Sequence, residues 1–426
     1  MNSAPRTTAK APRTPPLSGA FRKLWGAYAV SGLGDGIRVT ALPLMAATLT
    51  GDPQEVALVA TFERLPWLLF ALIGGAAADR VDRRKLMIGI DVLRCLLVAG
   101  FIASALGGTL SPALLYAVAF LLGTTDTFYD TASQAMIPST VPTPSLARAN
   151  SRLFGTSVVN LSFAGPVIGA WLFAWNVHAP FAVDALTFLF SAVLLLRIPG
   201  SFRPAPPATP APAGGWLGEI RAGLAFLLRH PVLRLLTVTV GLLSLAGAMA
   251  TSVLVLYATR TLGLSEAGYG WLIAGSAVGS LVGSGLAARL GARLGWGTAL
   301  TGAVLVAGVT LFLAGTVRSP YAVAALLAVN GGTVVVWNVL TAAKRQELVP
   351  DEQRGKAAGA YRLAAWGLMP VGSALGGFLA ARTTVSAPMV TGGAVLLAAS
   401  VLVLRLRAAE RDASGGRADT DAADRS

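Results

Sequence analysis

The residues that could do chemistry are ionisable side chains set inside apolar stretches. Asp35 and Arg38 stand three apart, on one face of a helix, where they can pair locally. Glu63 and Arg64 are adjacent in the next stretch, so they point in different directions and need partners on other helices. Asp126 and Asp130 are four apart on one helical face with no basic residue beside them. A charge in a bilayer costs at least about 2.5–3.5 kcal/mol on insertion scales, so each needs a partner or a water-filled cavity. Two carboxylates one turn apart cannot both be charged cheaply, which is the property of a site that takes up and releases a proton. Asp35, Arg38, Glu63, Asp126 and Asp130 are therefore the proton-coupling candidates. The plainer reading is also open: Asp35 and Arg38 serve equally well as a packing ion pair, and Glu63 and Arg64 as partners of neighbouring backbones. Asp184 reads as interfacial or structural. Arg362 is a charge within an apolar stretch of the C-terminal part, placed to meet a carboxylate from the N-terminal part or an anionic substrate.

A second concentration of charge is Gly74-Gly75-Ala-Ala-Ala-Asp79-Arg80-Val81-Asp82-Arg83-Arg84-Lys85, with Asp91 and Arg94 just beyond. Two glycines end one apolar run and another begins at Leu86, so the knot of charge is a tight turn at a membrane surface. The arginines alone could be topology signals, which leaves Asp79 unexplained.

The elements that must position these groups follow from composition. The 426 residues are 54% hydrophobic and 13% charged, against about 25% charged in soluble domains. Too little polar material exists to cover soluble domains, so the chain is expected to be a polytopic membrane protein. The net charge of +14 sits in short turns and in the tails, not on one stripe, which argues against nucleic acid as a partner. One cysteine, Cys95, excludes an intramolecular disulfide, and His178 and His230 have no ligand-like spacing. No metal or cofactor is expected. The N-terminus lacks the short apolar core of a signal peptide.

About 20 apolar residues span a bilayer core. On that measure, spans are expected near 21–49, 55–78, 86–107, 112–136, 148–174 and 179–198. Six more are expected near 232–258, 267–289, 296–316, 320–342, 356–381 and 385–406. The resulting division is a cytosolic tail over 1–20, a six-helix unit over 21–198, a proline-rich linker with a surface helix over 199–231, a second six-helix unit over 232–406 and a tail over 407–426. Lys and Arg concentrate in segments on the side of the N-terminus, which places both termini in the cytosol. Val141-Pro142, Arg148 and Gly169 match Val349-Pro350, Lys356 and Gly377 at a constant separation. Two units in the same topology describe a parallel repeat. Gly275, Gly279 and Gly283, four apart, allow close helix contact, expected within one chain; the protein is expected to be a monomer.

At this point the chain resembles the major facilitator superfamily. Gly75-x-x-x-Asp79-Arg80-x-Asp82-Arg83-Arg84 is similar to its signature Gly-x-x-x-Asp-Arg-x-Gly-Arg-Arg, with Asp82 in place of the second glycine. Asn150 through Gly165-Pro166-Val-Ile-Gly169, and Phe181-Ala-Val-Asp184-Ala-Leu-Thr-Phe, look like the bacterial branch of enterobactin exporters and macrolide efflux proteins. The resemblance implies an all-α fold of twelve transmembrane helices in the bacterial cytoplasmic membrane, working by alternating access without a cofactor. It implies a gating loop of Gly75, Asp79, Arg80, Arg83, Arg84 and Asp91, in which Asp79 faces the start of span 11 near Gly355 and the arginines bond acids such as Asp91. Spans 1, 4, 7 and 10 would line the cavity, which adds Tyr129, Ser252, Tyr257, Asn330, Trp337 and Asn338 to the substrate candidates alongside Arg362. Gly165, Pro166 and Gly169 resemble an antiporter motif, with Ala170 where the second glycine would stand.

The expected function is secondary transport: proton-coupled export of drugs, siderophores or other amphipathic small molecules. Import of a small metabolite and a non-transporting membrane partner are the alternatives. No nucleophile elbow or Walker A sequence is present, which argues against an enzyme or an ATP-driven pump.

Overall fold

A computed structural model describes residues 17–78, 80–203, 215–350 and 353–404. Helices α1 (Gly19–Leu49), α2 (Pro53–Ala78), α3 (Arg83–Leu106) and α4 (Pro112–Met136) follow one another with short turns. Helix α5 (Leu146–Val159) runs through a π-turn at Asn160–Ala164 into α6 (Gly165–Trp175), and α7 is Ala179–Leu196. After the linker come α8 (Gly215–Arg229), α9 (Pro231–Ser252) and the single turn α10 (Leu254–Leu256). Then come α11 (Glu266–Leu294), α12 (Trp296–Thr316), α13 (Pro320–Leu348) and α14 (Arg354–Arg382), with α15 at Ala387–Leu404.

Among the described residues, nine helical stretches are long and apolar enough to cross a membrane, the α5–α6 run counting as one. The other long helices, α1, α2 and α4, have 31, 26 and 25 residues. They are also the helices that carry Asp35 with Arg38, Glu63 with Arg64, and Asp126 with Asp130. Outward faces are apolar: Leu96, Leu186 and Leu281 are 64%, 64% and 71% exposed. Such surface belongs against lipid.

Short polar residues start the helices. Ser18, Ser111 and Ser265 accept backbone N–H groups of Phe21, Leu114 and Gly268. His230 does the same for α9 through Nδ1, accepting from Leu233 at 3.4 Å. The expected span 148–174 is not one regular helix. Pro166 has no N–H to give the carbonyl one turn back, and the chain absorbs the gap in the π-turn at 160–164. The expected span 232–258 also breaks, at Val253, where Thr251 and Ser252 hydroxyls turn back onto the carbonyls of Ala248 and Met249.

Glycine sets the closest crossings. A Cβ on Gly36 of α1 would strike the Asn160 carbonyl of the π-turn, and one on Gly165 would strike both Asn160 and Gly36. Gly169 lies in the same way against Ile37. The device recurs where α14 meets α9, with Gly372 against Leu245 and Gly376 against Met249. Gly279 and Gly283 are spent on α13, against Ala328 and Gly332, so the glycine stripe is an intramolecular seam.

Helices α1–α7 pack mainly on one another, as do α9–α15; α2 with α14 and α6 with α11 join the two groups. At the end bearing the α1–α2 turn this joint is tight. Gly377 of α14 presses on Gln54 and Ala57, and Arg260 donates to the Gly51 carbonyl at 2.7 Å.

Substituting Gly36 by Ala should cost about 1–3 kcal/mol of stability through overpacking, read as a lower melting temperature and yield in detergent. Gly89→Ala, at a position with nothing within 4 Å of the added carbon, should be neutral or better in the same assay.

Candidate functional site

Three helices bring charge to one network. Arg38 on α1 contacts Asp35 at 3.1 Å and Asp126 of α4 at 2.7 Å. Arg94 on α3 contacts the other oxygen of Asp126 at 2.7 Å, with Asp91 at 3.9 Å and Asp35 at 4.0 Å. Asp126 is thus clamped between two guanidinium groups that are 1–2% exposed. Arg94 also donates to Thr125 and Ser31 and lies 4.7 Å over the Tyr129 ring and 5.2 Å over that of Phe188. Asp91 accepts from Ser191 of α7 at 2.6 Å, and Ser191 in turn meets the Tyr129 hydroxyl at 3.1 Å.

The network is not closed. Nε and Nη1 of Arg38 and both carboxyl oxygens of Asp184 are buried without a hydrogen bond. They are neighbours: Gly34, one turn before Arg38, presses on Asp184 and Thr187 of α7. An orphaned buried polar group costs about 1–3 kcal/mol.

Two cavities open beside the network. The first, about 690 Å³, is lined by Asp35, Arg38, Glu63, Arg94, Asp126 and Asp130. It extends past Tyr28, Gln134 and Asn150, near the end at which α1 begins. The second, about 480 Å³, has Arg64, Thr251, Tyr269, Ser276, Ser280 and Asn330 on its walls. Val39, Glu63, Trp67 and Asp126 line both, so the two are chambers of one central cavity.

The expected coupling residues Asp35, Arg38, Glu63, Asp126 and Asp130 all line it. Asp35 and Arg38 do pair locally, and Arg64 does reach other helices, donating to Ser373 of α14 at 3.0 Å and Thr251 of α9 at 3.3 Å. Asp126 has the basic partners that its own helix lacks. Among the substrate candidates, Tyr129 and Asn330 line the cavity, although the Asn330 amide is spent on Ala307 and Thr310. Ser252, Tyr257, Trp337, Asn338 and Arg362 are not among the lining residues of either chamber. Tyr257 donates to the carbonyls of Ala314 and Val317, and Trp337 is buried in the core. Arg362 is exposed, and its field reaches Asp130. Gly165 and Gly169 press on α1, and Pro166 with Ala170 meets Gly270 of α11.

In the charged turn, Asp79 lies outside the described residues, and Gly75 falls in α2. The arginines do not reach Asp91, which is committed to Ser191 inside the bundle. Arg83 donates to Ala135, and Arg84 to Ile198 and Gly200. Arg80 is exposed. Asp82 caps α3 through Lys85 N–H and accepts from Ser201 Oγ at 2.9 Å and Phe202 N–H at 3.0 Å. The aspartate that departs from the signature glycine therefore anchors the linker. Burial alone would raise its carboxyl, but these hydrogen bonds outweigh it and hold the group below the ordinary carboxylate range.

A family model described as "Transmembrane secretion effector", within the major facilitator superfamily, matches residues 10–423. The chain belongs to that family. An uncharacterised major facilitator transporter of Bacillus subtilis, YfiS, is 26% identical over 402 residues, covering 89% of this chain and 91% of that protein. The enterobactin exporter EntS of Shigella boydii is 29% identical over 238 residues, and this match spans only about half of each protein, 54%. Among solved structures, a bacterial homologue of the iron transporter ferroportin in an inward-facing state superposes with a TM-score of 0.72 at 18% identity, covering 91% of this chain and 98% of that one. The POT family transporter PepTSo gives 0.70 at 12%, covering 93% and 99%. The protein is accordingly a multi-pass membrane transporter, not an enzyme, and the cavity is where a small molecule would pass.

Removing Arg94 leaves Asp126 and Asp91 short of their cation, a loss of about 3–5 kcal/mol for a broken buried pair. Arg94→Met should lower the melting temperature sharply, and Arg94→Lys should not restore it, because lysine cannot serve Asp126, Thr125 and Ser31 at once. At the linker, the depressed carboxyl of Asp82 contributes stability above the ordinary aspartate range and loses it as pH falls through the lower folded value. Hydrogen exchange at Phe202 should stay slow down to pH of about 4, and Asp82→Ala should make it several-fold faster at pH 7 than in the parent chain.

Proposed function

We propose that this transporter is a proton-coupled exporter of amphipathic small molecules, working by alternating access with both termini in the cytosol. The observation that carries the reading is the central cavity, whose first chamber holds four carboxyl groups, Asp35, Glu63, Asp126 and Asp130, against two guanidinium groups, Arg38 and Arg94. Two carboxyls in excess, beside the orphaned Asp184, give protons a place to bind and leave as the cavity changes sides. The mostly apolar second chamber suits a bulky amphipathic molecule better than a sugar, which needs many hydrogen-bonding side chains. The similarity to enterobactin exporters favours outward transport.

With the termini in the cytosol, the tight joint at the α1–α2 turn lies outside and the chamber near Tyr28 and Asn150 faces in. Asp79 would meet the start of α14 when the chamber closes, on the positive end of that helix. Twelve spans in two six-helix units complete the reading.

Efflux of a fluorescent amphiphile from energised cells should be several-fold faster with this transporter than with an Asp126→Asn variant, and collapse of the proton gradient should abolish the difference. Unchanged efflux without the gradient would sink proton coupling. Gradient-driven accumulation in place of loss would point to import.

A further inference from the structure

Two cavity carboxylates, Glu63 and Asp130, contact neither Arg38 nor Arg94, and of the two it is Glu63 that lines both chambers. Asp35 and Asp126 contact Arg38 or Arg94, and Asp91 holds Ser191 and approaches Arg94. Glu63 is half-buried, lines both chambers, and makes no hydrogen bond or ion pair among the described residues. Its neighbour Arg64 points the other way, into Ser373 and Thr251. The three arginines of the cavity are thus each engaged by groups of the chain, whereas this acid is not.

Trp67, one turn on from Glu63, shares its helix face and also lines both chambers. Its ring lies 4.6 Å from that of Trp366 on α14, at 56°. Trp366 is 41% exposed and lines the first chamber. Two indoles and a carboxylate without a cation therefore stand at the junction of the chambers, contributed by both groups of helices. Indole faces attract cations by about 0.5–2 kcal/mol, and most strongly when the cation has shed water. An anion would find the negative faces of the rings and the carboxylate of Glu63, while Arg38 and Arg94 already hold Asp126 between them and Arg64 is turned to Ser373 and Thr251.

We propose that Glu63, Trp67 and Trp366 form a subsite for the positively charged group of a lipophilic organic cation, its apolar body lying in the second chamber among Leu272, Ile273 and Val334. This rests on the exporter reading and narrows its substrate class to molecules that carry a quaternary or protonated nitrogen, or an equivalent onium centre. Glu63 supplies the charge, and the indoles hold the cation while the two groups of helices stay together.

Tetraphenylphosphonium and tetraphenylborate have the same shape and opposite charge, which isolates the sign of the site. On purified full-length protein in nanodiscs, titration calorimetry or quenching of tryptophan fluorescence should show the phosphonium binding about ten-fold tighter or more. Glu63→Gln should bring the two ions to within about two-fold, and Glu63→Asp should restore part of the preference. Trp366→Leu, which removes no hydrogen bond, should weaken the phosphonium alone and serves if Glu63→Gln does not fold. A borate preference, equal binding, no saturable phosphonium binding, or a preference untouched by these variants would overturn the subsite. Gradient-dependent efflux that survives such a result would leave the exporter reading standing. Phosphonium binding without efflux would do the reverse.

Discussion

A carboxylate held between two arginines is the constraint around which the first seven helices are arranged. Asp126 takes Arg38 on one oxygen and Arg94 on the other, both at 2.7 Å. Burying such ions costs several kcal/mol each unless geometry and hydrogen bonds repay it. The repayment binds α1, α3 and α4 to each other, and Asp91 with Ser191 extends it to α7. Polar contacts are well suited to this task in lipid, where apolar side chains gain little by leaving one apolar neighbour for another.

The opposite side of α1 is held by a different force. Gly36 lets the backbone of α1 come against the Asn160 carbonyl, and Asn160 donates to the Ala29 carbonyl at 2.7 Å. The π-turn makes this possible by offering its backbone at the crossing. Helix α1 is therefore fixed electrostatically on one face and sterically on another.

Much of this was legible in the sequence. Span positions follow from apolar runs, and the Asp35–Arg38 pair follows from three-residue spacing. The glycine stripe at Gly275, Gly279 and Gly283 announced a close helix partner. Arg94 was missed as a cavity residue because it stands near the charged turn, although Asp91 and Arg94 repeat the same three-residue signature inside an apolar run. Glu63 and Arg64 could be seen to diverge, but only packing shows that one meets Ser373 and the other an open chamber. Residues assigned to the cavity by their span alone fared unevenly. Tyr129 and Asn330 reach it, whereas Ser252 and Tyr257 sit beside the break at Val253, which turns their helix face in a way that no period predicts. Asp82 looked like a neutral departure from a glycine and instead supplies the linker anchor, a contact 119 residues distant.

The placement of charge has a mechanical consequence. Among the described residues, every ion pair of the network lies within α1–α7, and none joins them to α9–α15. The two groups meet instead through Arg64 on two hydroxyls, Arg260 on a carbonyl, the Trp67–Trp366 rings and glycine contacts. Hydrogen bonds to a charged group contribute about 1.5–3 kcal/mol each and can be exchanged for water. Separating a buried ion pair would strand charge at about 3–5 kcal/mol. Parting the two groups would therefore break the cheaper class of contact and leave the charge network whole within one wall.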